Sequence, residues 1–241
     1  MKKILLFAVC FLAAASCKKH NNTEKPTPMV TISFEQRIVE GHSMVRSTSN
    51  DFLDIIAEQT PKTVTVTLKN TDLNKTYTCK STESIEVPVG NYTISAKSAT
   101  PELVGETTSI YKTPLIKQSS IQTIITTATN TIAINLSYQC YAVFALVDEC
   151  SSCSVRSGYL YQVPQVDKYF VCYPTQDVTV RLTPYTDSTE FAQTDFDFVT
   201  TYDKDNIFAE FGKYYVVHPT KIDATTSSFD IQFPTMQEGE I

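Results

Sequence analysis

"TIAINLSYQCYAVFALV", residues 131–147, carries two different alternations in one run. Ile132, Ile134, Leu136, Tyr138, Cys140, Ala142, Phe144 and Leu146 hold one face throughout. The opposite face is polar at Asn135, Ser137 and Gln139 but apolar at Val143, Ala145 and Val147. Successive side chains of a strand point to opposite faces, so the first half buries one face and the second half buries both. That change fits a strand entering a second sandwich core. The stretch predicts an all-β chain of two tandem antiparallel β-sandwich domains, residues 30–129 and 130–241, divided near Thr129 and Asn130.

The rest of the chain keeps the same rhythm. "VTISFEQ" from Val30 alternates with Val30, Ile32 and Phe34 on one side, and Val64, Val66 and Leu68 do so among threonines. Ile85, Val87 and Val89 lead through Gly90 and Asn91 to Tyr92, Ile94 and Ala96. Later strands are expected around Tyr159–Gln162, Lys168–Tyr173, Val178–Leu182, Phe196–Val199, Tyr214–Val217 and Phe229–Phe233. Short strands at regular spacing with turn signals between them indicate sandwiches. One short helix is expected in "NDFLDIIAEQTP", where Asn50 or Asp51 caps and Phe52, Ile55 and Ile56 share a face. Between the first strand and this helix, "RIVEGHSMVRSTSN" reads as an exposed polar loop.

The N-terminus reads as an address. Met1, Lys2 and Lys3 precede an apolar stretch, Ile4 to Ala15, the layout of a secretory signal. It falls short of the ~20 apolar residues a membrane-spanning helix needs. Ala14, Ala15 and Ser16 stand before Cys17, an arrangement that resembles a bacterial lipobox, with Ala14 where leucine is usual. The resemblance implies a signal peptide over 1–16 and acylation of Cys17, whose acyl chains would anchor the protein to a membrane. Residues 17–29, polar with Pro26 and Pro28, read as a tether.

Removing Lys2 and Lys3 from the 20 Lys and Arg leaves 18 against 26 Asp and Glu, a net charge of −8. An acidic chain without basic clusters argues against nucleic acid as a partner, because phosphate binding rests on Lys and Arg. Six glycines leave no phosphate-cradling loop, so no cofactor is expected.

"SIEVPVGNYTISAKS" (84–98) and "IYKTPLIKQSSIQTIITTATNTIAINLS" (110–137) together resemble the fimbrillin-type lipoproteins of Bacteroidetes. Their pattern of strand, Pro-Val-Gly turn, Tyr-x-Ile strand, tyrosine-bearing loop and strand–Asn–strand pair falls on Ile85–Val87, Pro88–Gly90, Tyr92–Ala96, Tyr111 and Ile121–Leu136. The resemblance implies paired transthyretin/immunoglobulin-like sandwiches and a non-enzymatic, outer-membrane protein, at its periplasmic face or the cell surface. Its role would be adhesion or fimbrial assembly, with fimbrial subunits or a surface ligand as partners. In such pilins an arginine-specific protease removes an N-terminal strand and opens a groove for a neighbour's donor strand. Arg46, in "SMVRSTS", falls where that cut would be made; its plain reading is a solvated loop arginine. The alternative function is a glycan- or nutrient-binding lipoprotein serving an outer-membrane transporter, for which 13 tyrosines remain available despite the absence of tryptophan.

Cys150 and Cys153 form a C-x-x-C in "DECSSCSV", a stretch that reads as a hairpin loop, with Cys140 and Cys172 isolated on either side. Export to an oxidising compartment favours disulfides or structural thiols among these four; a four-sulfur zinc site is the alternative. Cys79 is the odd one left over. Among other groups, His20, His42 and His218 have no neighbour at ligand spacing. Asp195 and Asp197 lie on the polar side of a strand whose Phe196 and Phe198 face in; paired carboxylates serve glycosidases, but such groups are ordinarily solvated. "YDKDN" (202–206) lacks the glycine and distal glutamate of a calcium loop.

Overall fold

The computed structural model describes residues 27–38, 51–106, 109–222 and 229–232. Strands dominate. The first group comprises β1 (Met29–Ile38), β2 (Thr65–Asn70), β3 (Lys75–Lys80), β4 (Ile85–Pro88), β5 (Gly90–Lys97), β6 (Ile110–Tyr111), β7 (Ile116–Ile125) and β8 (Thr131–Tyr138). All but β6 join in the order β3-β2-β5-β7-β8-β1-β4. The link between β7 and β8 is short, only Ile116 with Tyr138 and Lys117 with Ser137. The sheet closes over one core because apolar residues recur at every second position; Val66, Leu68 and Ile94 from one side meet Ile32, Val87 and Ile134 from the other. Gly90 holds φ at 148°, and a Cβ there would stand 2.8 Å from the Asp72 carboxylate that accepts the Asn91 amide. The turn into β5 therefore requires glycine.

The second group comprises β9 (Ala142–Leu146), β10 (Ser152–Ser157), β11 (Tyr159–Gln162), β12 (Gln165–Val166), β13 (Tyr169–Pro174), β14 (Val178–Thr183), β15 (Phe191–Ala192), β16 (Thr194–Val199), β17 (Ile207–Phe208), β18 (Tyr214–Val217), β19 (Thr220–Lys221) and β20 (Phe229–Gln232). One sheet runs β11-β10-β14-β16-β17; the other runs β12-β13-β9-β18-β20, with β6 added on β13. Val143, Cys172, Val180, Phe198 and Tyr215 fill the core between them. The protein is thus all-β in two tandem sandwiches, with one helix among the described residues.

That helix, α1 (Asp51–Gln59), joins the two halves. Asp51 and Asp54 in its first turn complement the positive end of the helix dipole. At its other end, Thr60 returns its amide and hydroxyl to the Ile56 carbonyl at 2.9 and 2.6 Å, and Pro61 follows. Phe52 packs its ring 5.1 Å from Phe144, 4.5 Å from Tyr169 and 5.8 Å from Tyr214, on β9, β13 and β18. Lys168 pairs with Asp51, and the Tyr173 hydroxyl donates to Gln59 Oε1 at 2.7 Å. The outer face of the second sandwich's central strands is therefore covered by α1 and belongs to the same core as the first sandwich.

The two alternations within 131–147 are both present. Ile132 to Phe144 line the first core from β8 into β9, with Leu146 packed against it, whereas Val143 and Ala145 face the second core. In three respects the sequence reading is revised. β8 lies beyond position 130 yet pairs with β1 and β7, so the chain leaves the first sheet at residues 139–141. Three pairs are parallel, β1 with β8, β9 with β18 and β16 with β17. Hairpins impose antiparallel pairing, but β1 with β8 and β9 with β18 are far apart in the chain and have no tight turn to set their direction. Last, β3 and β10 are strands that polar, serine- and threonine-rich sequence concealed: residues 147–150 make the turn, and "SCSVRS" beyond it is β10.

Candidate functional site

Two residues singled out in the sequence, Cys17 and Arg46, lie outside the described residues, as do His20, His42 and Asn50. The strand that ends eight residues before Arg46 is described. β1 is split between two partners: Met29–Ile32 pair antiparallel with Ile85–Pro88 of β4, and Ser33–Ile38 pair parallel with Thr131–Leu136 of β8. Ile32 is fully buried, and Val30 and Phe34 are half-buried against the same core. Alternation predicted this face, and the structure bears it out. Around it, Ser33 donates its amide to the Asn130 carbonyl at 2.9 Å and the Gln36 amide reaches the Lys62 carbonyl at 2.9 Å. Burying three such side chains contributes several kcal/mol, at roughly 1.5–3 kcal/mol each when fully covered.

Cys140, Cys150, Cys153 and Cys172 are all buried, and Cys79 is half-buried; all five are free thiols. Cys153 on β10 and Cys172 on β13 enter the second core from its two facing sheets. Cys140 lines the first core at the crossover between sheets. Burial pushes the Cys140 and Cys150 thiols up to about 12, and lifts Cys153 and Cys172 well above the ordinary range. A thiol held neutral in this way is a poor nucleophile at neutral pH. Among the described residues no three His, Cys, Asp or Glu side chains converge as a metal site would require.

The carboxylates have protein partners. Arg181 donates Nε and Nη2 to the two oxygens of Asp195 at 2.8 and 2.7 Å, and this pairing holds the Asp195 carboxyl below its usual range. A general acid needs the opposite shift. Asp197 accepts the Thr179 hydroxyl at 2.7 Å. His218 contacts Glu149 through Nδ1 at 2.8 Å. In "YDKDN", Asp203 caps the Asp205 amide at 3.0 Å, a local turn. Sequence reasoning missed Arg156 and Asp177, which cross-strand register and a turn bring to the lining of the same surface depression as Asp197. No signal in the sequence links the three positions.

The structural neighbours include fimbrial proteins. The chain is similar to the tip fimbrial protein Mfa3 of Porphyromonas gingivalis, at 8% identity and a TM-score of 0.45, over 70% of this chain and 92% of that one. It is also similar to the fimbrial anchor protein Mfa2 of the same organism, at 12% identity and a TM-score of 0.35, over 84% of this chain and 94% of that one. Neither a family model nor a curated protein matches the sequence.

Proposed function

We propose that this protein is a non-enzymatic, membrane-anchored lipoprotein of the outer membrane, acting in adhesion as a fimbrial subunit or accessory protein. The observation that carries this reading is β1. It is an N-terminal strand laid between two partners, its apolar side against the core, and connected onward through the segment that contains Arg46. A strand so placed is what a donor-strand mechanism removes and replaces, since a neighbour's strand can restore both its main-chain hydrogen bonds and its side chains. Cys17, with small residues and an apolar stretch before it, supplies the anchor, and residues 17–29 the tether.

Two measurements test the reading. Intact mass should show a lipid adduct on an N-terminus beginning at Cys17, and Cys17→Ala should move the protein from the membrane fraction to the soluble one. A variant that still sediments with membranes overturns the anchor. Digestion of the purified chain with an arginine-specific protease should cut after Arg46, release β1 and be followed by ordered assembly. Resistance at Arg46, or amorphous aggregation after the cut, removes the fimbrial-subunit role and leaves an anchored adhesin.

A further inference from the structure

The sheet β11-β10-β14-β16-β17 buries one face in the second core and leaves the other open. Cross-strand register decides what the open face carries. Arg156 stands opposite Thr179, and Thr179 opposite Asp197; two residues along, Ser154 stands opposite Arg181, and Arg181 opposite Asp195. The first row crosses three strands; in the second Ser154 is buried, which leaves Arg181 and Asp195 as its surface pair.

The rows differ in what remains available. In the second, Arg181 and Asp195 satisfy each other through two parallel bonds. The first has spare capacity. Arg156 is exposed, and no hydrogen bond holds its guanidinium, although its charge adds to that of Arg181 in lowering the Asp195 carboxyl. Asp197 accepts the Thr179 hydroxyl on Oδ1 alone. Asp177, in the turn before β14, accepts both the amide and the hydroxyl of Thr200 at 2.7 Å, again on Oδ1 alone. In both aspartates the protein orients the carboxylate by one oxygen and leaves the other open. These groups and Asn206 line a shallow depression of about 420 Å³. Exposed aromatic residues neighbour the lining residues in sequence and in strand pairing. Tyr159, next to the lining residue Gly158, is 78% exposed. Across the sheet Tyr202, 74% exposed, meets Phe208 edge-on at 6.0 Å, and Phe208 pairs with the lining residue Val199.

Charge selects the ligand class. One arginine against two aspartates repels phosphate and sulfate, which need an excess of Lys and Arg. A divalent cation needs more converging carboxylates, and no such group is present among the described residues. What fits is an uncharged molecule dense in both donors and acceptors. Vicinal hydroxyls of a pyranose would donate to the open oxygens of Asp177 and Asp197 and accept from the Arg156 guanidinium and the Asn206 amide. Its C–H face would pack on Tyr202 or Tyr159, which offer an apolar ring with a polar tip.

We propose that this face of the second sandwich is a docking site for a neutral glycan. The site takes only its biological setting from the adhesion reading, in which the glycan is the surface receptor. Affinity electrophoresis of the purified full chain tests it, in gels containing mannan, xyloglucan, starch or mixed-linkage β-glucan, with dextran sulfate as the charged comparison. At least one neutral polysaccharide should retard the protein. Arg156→Ala, Asp197→Asn and Tyr202→Ala should each weaken that retardation about tenfold or more. All three positions are exposed, so the thermal midpoint should stay near that of the parent chain, and the exposed, remote Lys117→Ala should bind normally. Migration unaffected by every neutral polysaccharide, retardation by dextran sulfate alone, or retardation that survives all three substitutions overturns the proposal. None of these outcomes touches the Cys17 and Arg46 experiments, so the two readings fail separately.

Discussion

Cys140, Cys150, Cys153 and Cys172 sit where a thiol serves as a small apolar side chain. Their ionisation is coupled to stability with a definite sign. Cys140 and Cys150 are lifted from an ordinary value of 9.0 to about 12, because burial disfavours the thiolate. A group whose folded pKa is raised holds its full stabilising contribution below the unfolded value and loses it as pH climbs through the folded one. The thermal midpoint should therefore fall as pH rises from 9 towards 12. Labelling gives the sharper test. Iodoacetamide at pH 8 should modify Cys79 in the native protein and leave the other four untouched until denaturant is added. Native-state labelling of Cys150 or Cys153 at the rate of Cys79 would show that they are not the inert core groups described above.

The helix is the element on which the assembly turns. A stretch of nine residues is too short to persist alone, so α1 owes its stability to what its apolar face touches. Phe52 meets three aromatic rings that come from three different strands of the second sandwich. Phe52→Ala would remove all three contacts and leave a cavity between α1 and the sheet. A loss of about 2–4 kcal/mol is expected from urea denaturation, toward the lower end because Phe52 is half-buried. A loss below about 0.5 kcal/mol, the range of an ordinary surface substitution, would mean that α1 does not hold the sheet.

At the scale of the whole molecule, one apolar core runs through both sandwiches. It takes in Ile32 and Ile134 from the first sheet, Ile56 from the helix, and Phe144 and Val171 from the second. β6, from the long connection of the first half, adds to the sheet of the second by pairing with β13. Separating the two would expose the aromatic face that α1 covers, so they should unfold together. Calorimetry of the chain should show one transition with equal calorimetric and van't Hoff enthalpies. Two resolved transitions would show the sandwiches to be energetically independent despite their shared core.

Local periodicity made much of this legible in the sequence. The alternation of Val30, Ile32 and Phe34 marked β1 and its buried face, "NDFLDIIAEQTP" marked α1, and the change of face between Gln139 and Val143 marked entry into a second core. Each of these depends on neighbours a few residues apart. Which strands pair is set by contacts far along the chain, and alternation is blind to it. The parallel placement of β1 on β8, the helix wedged against the second sheet and the row Arg156–Thr179–Asp197 all came from tertiary structure. The thiols show the same division. Their sequence spacing left disulfide, zinc and packing open, and only the tertiary structure sets Cys153 and Cys172 on facing sheets of one core, where burial raises both thiols.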